Sequence, residues 1–273
     1  MSSRLSRTAR TTAGALAASA TALLAAGLPH PAAAATASAP SGKTPKASAH
    51  ATAAVLDLDG TGRTTVVRGE DRPYDTASIV KIDILAALLL RAQDAGRPLS
   101  GAERDLAEPM IRRSDNAAAN ALWRRIGRAG GLAAANERLG LTSTTGGPGG
   151  KWGLTRTTAS DQVRLLRAVF GPGGTVRRGS GGLDAASRAY VRTLMSRVVP
   201  GQTWGVPAAG GAHARPVLKN GWLQRTTTGR WDVNSVGEVS VGKHRYLVAV
   251  LSDGNASMGA GISLVERTAR AAV

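Results

Sequence analysis

The apolar pattern of the chain is strongest from Thr76 to Gln93, where TASIVKIDILAALLLRAQ is hydrophobic on nearly every side. A helix that is apolar all round belongs in the interior of a protein, so this segment predicts a buried central helix. Ser78 lies near its N-terminus and Lys81 lies one turn further on. Because positions three apart share a helix face, we expect the hydroxyl and the amine to be close together in an apolar wall.

Weaker patterns predict strands at both ends of the chain and helices between them. Alternating or continuous apolar runs predict strands at 53–58, 64–68, 216–223, 231–241 and 244–252. Helical periodicity between glycine-rich breaks predicts helices at 101–112, 117–127, 131–139, 158–169 and 184–198, with a closing helix at 257–272. This order indicates an α+β fold, in which one antiparallel sheet built from N- and C-terminal strands is flanked by helices and carries an inserted all-α lobe.

The first 50 residues have a different composition. Three arginines precede an apolar run from Ala13 to Leu28, and small residues follow at 32–37, which predicts a secretory signal peptide at 1–37 and export to the extracellular space or cell envelope. An uncleaved anchor and a buried helix are the alternatives. Residues 38–50 have little to bury and predict a flexible linker. The folded domain is then 51–273, with a sheet lobe at 51–77 and 200–273 and a helical lobe at 78–199.

The composition of the chain excludes some kinds of chemistry and indicates which kinds of partner to expect. The absence of cysteine excludes disulfides, thiol nucleophiles and thiolate metal sites. A formal net charge of +17 favours electrostatic contact with an anionic cell wall, although the arginines are scattered and also fit a plain solvated basic surface. No nucleic-acid-binding motif is present, so we expect no nucleic-acid partner. We also expect a monomer that uses neither a metal nor a cofactor.

Two further motifs fall where side chains can reach a cleft. Ser-Asp-Asn at 114–116 lies between two predicted helices, although taken alone it also fits a helix N-cap. Lys-Asn-Gly at 219–221 lies on the strand PVLKNGWL, where the glycine would let a ligand approach the backbone. The serine and lysine of the central helix likewise fit a cap and a snorkelling side chain when taken alone. The order of all three motifs on suitable elements carries more information than any one of them.

Together the three motifs resemble the signature of the penicillin-recognising serine enzymes, specifically the class A β-lactamase-like group. The resemblance covers about residues 51–273 and implies a β-lactamase/transpeptidase-like fold. It implies a secreted serine hydrolase that forms an acyl-enzyme with β-lactam-type amides. The third motif of these families is Lys-Thr-Gly or Lys-Ser-Gly, whereas this chain has Lys-Asn-Gly.

The resemblance implies catalytic roles for three side chains. Ser78 would be the nucleophile, and Lys81 would activate it directly or through water. Ser114 would pass a proton to the leaving nitrogen. The backbone N–H groups of Ser78 and Trp222 would form the oxyanion hole.

The same resemblance implies a substrate-binding set. Asn116 would hold the side-chain amide of the substrate, and Lys219 would supply positive charge for its carboxylate. Asn220 and Gly221 complete the set on the strand. An amide at position 220 can donate to a carboxylate but cannot relay a proton as a hydroxyl can.

A general base for the second half of the reaction is missing. Class A β-lactamases carry a glutamate, on a loop well after Ser-Asp-Asn, that activates the water which clears the acyl-enzyme. The segment from Leu141 to Thr157 contains no acidic residue, and the flanking Glu137 and Asp161 fall in predicted helices. We therefore expect a protein that β-lactams acylate readily and that deacylates slowly.

Two other functions remain open from the sequence. A D-alanyl-D-alanine carboxypeptidase, or another wall peptidase or esterase, would use the same acyl-enzyme chemistry on a peptide. A catalytically weak, basic wall-binding module would retain the fold and bind anionic material without needing the nucleophile. A Ser-His-Asp triad and metal-assisted hydrolysis lack support, because neither a Gly-x-Ser-x-Gly elbow nor an HExxH motif is present.

Overall fold

The computed structural model of the protein describes residues 48–60, 64–171, 181–210 and 215–273. The predicted signal peptide and most of the predicted linker lie outside the described residues. Residues 61–63, between the first two predicted strands, also lie outside them. Within the described ranges, no helix combines the length and the apolar character needed to cross a membrane.

The described residues form strands at both ends of the domain and helices mainly between them. The strands are β1 (His50–Asp57), β2 (Val66–Arg68), β3 (Tyr74–Asp75), β4 (Arg156–Thr157), β5 (Val217–Gln224), β6 (Trp231–Val241) and β7 (His244–Asn255). The helices are α1 (Val80–Asp94), α2 (Gly101–Arg112), α3 (Asn116–Ile126), α4 (Arg128–Leu139), α5 (Ala159–Phe170), α6 (Ala185–Met195) and α7 (Met258–Ala272). Short 3₁₀ turns occupy Ala77–Ile79, Trp152–Leu154, Pro200–Gln202 and Val206–Ala209.

One five-stranded sheet joins the two ends of the domain, in the order β2-β1-β7-β6-β5. All four pairings are antiparallel, and β1 runs against β7 from His50↔Asp253 to Asp57↔Tyr246. Alternate residues of a strand point to opposite faces, and here the two faces enter different cores. Ala54 and Leu56 pack in the core around α1, whereas Ala53 and Val55 pack in the core under α7. The predicted α+β fold is confirmed.

The central helix α1 is buried as predicted. Every residue from Val80 to Leu90 is buried, including Lys81 and Asp83. The helix contacts α2, α3, α4 and α6, so the helical lobe surrounds it. Burial of its aliphatic side chains stabilises the fold by roughly 1.5–3 kcal/mol each.

A small second sheet was not predicted. Its strands β3 and β4 pair Tyr74 with Thr157 and Asp75 with Arg156. The backbone N–H of Thr76 also donates to the carbonyl of Thr155 at 2.8 Å. Two-residue strands are too short to give a hydrophobic period, which is why the sequence pattern does not indicate them. They join the segment before Ser78 to the end of the loop that precedes α5.

Candidate active site

Ser78 lies in the 3₁₀ turn that leads directly into α1, and it is half-buried. The residue before it, Ala77, has a φ of 47°, a left-handed conformation that costs an alanine about 1 kcal/mol or more. The side-chain amide of Asn234 on β6 holds this turn by donating to the carbonyls of Asp75 at 2.9 Å and Thr76 at 3.1 Å. The strained turn is therefore fixed to the sheet.

Gly221 lets the edge strand β5 approach this turn closely. A Cβ at position 221 would lie 2.7 Å from the backbone nitrogen of Ser78 and 2.8 Å from the carbonyl oxygen of Thr76. Both distances are shorter than any side-chain atom tolerates, so only glycine fits here. The next residue, Trp222, is thereby placed on the strand beside the turn, where the sequence predicts the second N–H group of an oxyanion hole.

Lys81 connects the central helix to the Ser-Asp-Asn loop. Its Nζ donates to the Ser114 carbonyl at 2.6 Å, to Ser114 Oγ at 3.0 Å and to Asn116 Oδ1 at 2.8 Å. Burial lowers the pKa of Lys81 to about 7, while the charge of Asp115 acts in the opposite direction. A substantial fraction of neutral amine therefore exists near pH 7, and a neutral amine can accept a proton from a hydroxyl.

A second lysine, from the sheet, also donates a hydrogen bond to Ser114. Lys219 Nζ, on β5, donates to Ser114 Oγ at 3.0 Å and to the carbonyl of Asn220 at 2.8 Å. Burial, with the charge of Lys81 adding to it, lowers the pKa of Lys219 well below its ordinary value. Ser114 itself has a φ of 58°, and the Asp115 side chain caps α3 by accepting from the N–H of Ala118 at 2.7 Å. The three predicted motifs thus meet in one place.

Asn220 has a different environment from the one expected. Its Nδ2 donates to the carbonyls of Gln202 at 3.0 Å and Trp204 at 2.9 Å, and the residue is 1% exposed. Both amide hydrogens are used inside the protein, so no donor remains for a substrate carboxylate. This geometry argues against the predicted substrate contact of Asn220. The side chain instead supports the loop before β5. The Trp204 ring of this loop lies near the Trp222 ring of β5, with 5.8 Å between the centroids.

The loop between α4 and α5 carries an aromatic residue that sequence reasoning did not select. Lys81 Nζ lies 4.7 Å from the ring centroid of Trp152, a cation–π distance. The indole N–H of Trp152 donates to Asn120 Oδ1 at 2.7 Å, and that of Trp123 donates to the carbonyl of Gly149 at 2.9 Å. The loop is therefore fixed on α3, with an indole face over Lys81. In the sequence, the position of Trp152 just after the glycine-rich run at 146–150 was the feature that could have indicated this residue.

Neither flanking acid lines this part of the site. Asp161 is fully buried in the first turn of α5 and accepts from the N–H of Ser143 and the hydroxyl of Thr144, both at 2.8 Å. Glu137 is exposed on α4. In the described ranges, no cluster of three or more histidine, aspartate and glutamate side chains is arranged to hold a metal ion.

A groove opens next to this cluster, with a cavity volume of about 680 Å³. One wall is α3, through Asn116 and Asn120. The other walls are the segment 150–154 and, at 223–227, the end of β5 with the start of the turn that follows it. Cavities of this size hold a drug-sized ligand or a short peptide. Asn116 Oδ1 accepts from Lys81, which leaves its amide hydrogens for a ligand in the groove.

The β-lactamase enzyme family model matches residues 101–273. Proteins named as a lipoprotein, LppW, in Mycobacterium tuberculosis and Mycobacterium bovis are 29% identical over 180 residues, which is 63% of this chain and 54% of theirs. The match thus spans about half the length of these relatives.

Solved structures share the fold at low sequence identity. PBP-A is 22% identical with a TM-score of 0.66, covering 84% of this chain and 89% of that one. A PBP-A mutant in an acyl-enzyme complex with penicillin G is 24% identical at the same TM-score, with coverages of 83% and 89%. TLA-3 extended-spectrum β-lactamase is 13% identical at 0.66, with coverages of 81% and 92%. The predicted resemblance is confirmed at the level of fold and family. The chain belongs to the β-lactamase enzyme family.

Proposed function

We propose that this protein is an exported serine hydrolase that forms an acyl-enzyme on Ser78 with β-lactam-type amides and releases the acyl group slowly. The observation that carries the proposal is the convergence of Lys81 and Lys219 on Ser114 Oγ, each at 3.0 Å, beside the turn that holds Ser78. Three segments that are distant in sequence supply these groups. Two buried, hydrogen-bonded lysines beside a serine turn have a clear use in acyl transfer and are costly to bury otherwise.

Acylation follows from the groups present. The neutral amine of Lys81 takes the proton of Ser78 Oγ, directly or through a water, as the oxygen attacks the substrate carbonyl. The N–H groups of Ser78 and Trp222 stabilise the negative oxygen of the tetrahedral intermediate. The C–N bond then breaks, and Ser114 passes a proton to the leaving nitrogen while Lys81 returns one to Ser114. The proton balance closes without any further reactant.

Deacylation lacks a comparable group. Water must be deprotonated to attack the ester, and a positioned base typically contributes about 10²- to 10⁴-fold. The loop from Leu141 to Thr157 has no carboxylate, and Trp152 lies over Lys81 from that side. This supports a long-lived adduct. It also favours, as the second candidate, a D-alanyl-D-alanine carboxypeptidase or related wall peptidase or esterase, for which β-lactams are inhibitors.

The substrate would enter along the groove beside α3. Asn116 would donate its amide hydrogens to the side-chain amide of the substrate, and Lys219 would contribute positive charge near a carboxylate. The predicted signal peptide supports export. The relatives named as lipoproteins make the cell envelope the favoured location, with contact to the anionic wall and a monomeric state as parts of the same proposal.

Intact-protein mass spectrometry after mixing with penicillin tests this function. We expect a mass increase equal to one penicillin that decays over minutes to hours and is absent in Ser78→Ala. Rapid turnover of a chromogenic cephalosporin would show efficient deacylation, and a stable adduct with peptide cleavage would favour the carboxypeptidase. No adduct, or an adduct that persists in Ser78→Ala, would reject acyl transfer. Salt-sensitive binding to wall material without any adduct would leave the basic binding module.

A further inference from the structure

A second cavity extends the groove away from Ser78. Its volume is about 440 Å³, and its lining residues are Asn120, Trp123, Arg124, Arg128, Gly149 and Gly150. Asn120 and Gly150 also line the cavity beside Asn116. The two cavities therefore follow one another between α3 and the loop 149–152.

The spacing along α3 gives the length of this path. Asn116, Asn120 and Arg124 are four residues apart and so share one helix face. With a helical rise of 1.5 Å per residue, the eight residues from Asn116 to Arg124 span about 12 Å. An extended peptide covers that distance in about four residues. Because the indoles of Trp123 and Trp152 hydrogen-bond the opposite wall to α3, the path is fixed.

The charged side chains that line this path are all basic. Among the residues that the structure describes, no aspartate or glutamate lines either cavity. Arg225, in the first cavity, is neutralised by ion pairs with Asp75 and Asp232. Arg124 and Arg128, in the second cavity, are exposed and make no ion pair with any residue that the structure describes. Lys151, in the first cavity, is also exposed and makes no ion pair with a described residue, so two of the three unpaired basic side chains lie at the far end.

We propose that the far cavity binds a carboxylate on the acyl side of the substrate, about 12 Å along α3 from Asn116. The preferred acyl donor is then an extended acidic peptide whose anionic side chain lies about four residues beyond the group that Asn116 holds. This inference rests on the proposed function, because it assigns a direction and a chemical class to the substrate of the same site. The arginine pair would hold the carboxylate through charge-assisted hydrogen bonds.

Two matched acyl donors test the inference. Both are penicillins with a four-residue peptide side chain. The two side chains differ only in their terminal residue, which is glutamate in one compound and glutamine in the other. We expect the second-order acylation rate constant of the native protein to be about tenfold higher for the glutamate compound, a value in line with one partly exposed charge pair supported by a second arginine. In the double variant Arg124→Gln/Arg128→Gln this ratio should fall to about one. A circular dichroism melt confirms that the variant is folded.

A control variant that removes one positive charge elsewhere separates local from general electrostatics. Arg267 is exposed on α7, and Arg267→Gln removes a positive charge from a different element of the protein. This variant should keep the tenfold ratio. Equal rates for the two penicillins in the native protein would overturn the inference. A ratio that survives the double variant, or that falls equally in Arg267→Gln, would overturn it too.

Failure of the inference and failure of the proposed function give different results. If neither penicillin acylates the protein, acyl transfer on Ser78 is rejected. Calorimetric binding of the two free peptides then tests the cavity alone. Tighter binding of the glutamate peptide that is lost in Arg124→Gln/Arg128→Gln would still support the carboxylate site, and equal binding would reject it.

Discussion

The Trp152 ring covers the Lys81 amino group, with 4.7 Å between Nζ and the ring centroid. The indole N–H is held by Asn120, so this cover does not depend on a substrate. The group nearest the lysine on the loop side is therefore aromatic and carries no proton-accepting oxygen. This relationship gives a physical reason why an acyl-enzyme on Ser78 would persist.

Replacing the indole with a carboxylate tests that reason. We expect Trp152→Glu to accelerate loss of the penicillin adduct by about tenfold, below the usual contribution of a well-placed base because the new side chain is not preorganised. The added negative charge should also raise the pKa of Lys81 and so slow acylation at neutral pH. Mass spectrometry of the adduct over time measures both. Trp152→Gln, which opens the same space without a base, should not accelerate decay; if it does, removal of the cover alone is responsible.

The lowered pKa of Lys81 predicts the pH profile of acylation. Since the neutral amine is the base, the acylation rate constant should rise with pH and level off above about 7. Lys81→Arg keeps a positive charge but cannot lose its proton, so we expect acylation to fall by about a hundredfold or more. Stopped-flow measurements between pH 5 and 9 check this profile. A flat profile in the native protein would show that another group removes the proton.

Gly221 is predicted to be intolerant of any side chain. In Gly221→Ala the new methyl group would lie 2.7 Å from the Ser78 nitrogen, so β5 and the serine turn must separate. Displacing the N–H donor of Trp222 should lower the acylation rate by about a hundredfold. Gly101→Ala, where no atom lies within 4 Å of the new methyl group, is the matched control and should acylate normally. Normal acylation in Gly221→Ala would argue against an oxyanion hole at this position.

The Asn220 amide should control the aromatic pair beside the site. Asn220→Ala leaves two carbonyls without their donor, so we expect a loss of about 1–3 kcal/mol in the free energy of unfolding. The near-ultraviolet circular dichroism of the Trp204 and Trp222 pair should change as the loop before β5 moves. Asn255→Ala is the control, because Asn255 Nδ2 also makes two hydrogen bonds, to Trp231 and Ser252. That variant should lose stability and keep the tryptophan signal.

Asp83 predicts a pH-dependent stability. Burial raises the pKa of Asp83 from 3.8 to about 8; interactions with its own backbone N–H and with the Gln162 side chain oppose the shift, and the nearby Asp161 adds to it. The folded state holds this proton where the unfolded state has released it. The contribution of the group is thus fully present below about pH 4 and is lost as pH rises through 8.

Asp83→Asn tests this dependence, because the amide keeps the shape and has no charge. We expect the free energy of unfolding of the native protein to fall more steeply between pH 5 and 9 than that of Asp83→Asn. Urea titrations across this range measure the difference. Asp105→Asn, at an exposed position on α2, should follow the native curve. Parallel curves for native protein and Asp83→Asn would mean that the aspartate is not protonated at neutral pH in the fold.

The sequence predicted long and strongly patterned elements well, for a physical reason. The apolar run of α1 and the alternation of the strands both follow from which side chains are buried. Burial produces a hydrophobic pattern that can be seen in the sequence. The helix predicted at 101–112 has those bounds in the structure, and the strand predicted at 231–241 also does. The order of the motifs predicted one shared site, and the hydrogen bonds join Lys81, Ser114 and Lys219 there.

Features set by side-chain partners could not be predicted in this way. The donors of Asn220 are directed to carbonyls at 202 and 204, and no local pattern records which carbonyls a loop will present. Trp152 covers Lys81 only because the loop is fixed by indole hydrogen bonds to α3. The neutral Asp83 depends on how completely the surrounding helices exclude water. These are three-dimensional properties of loops and of packing.

The short β3–β4 sheet joins the chain just before Ser78 to the end of the loop that bears Trp152. A change in the length of this loop would therefore act on the chain just before Ser78, since Thr76 is hydrogen-bonded to Thr155. Single replacements inside the loop leave this connection unchanged. Under the proposed function, the lifetime of the acyl-enzyme is thus better altered one residue at a time than by exchange of the whole loop.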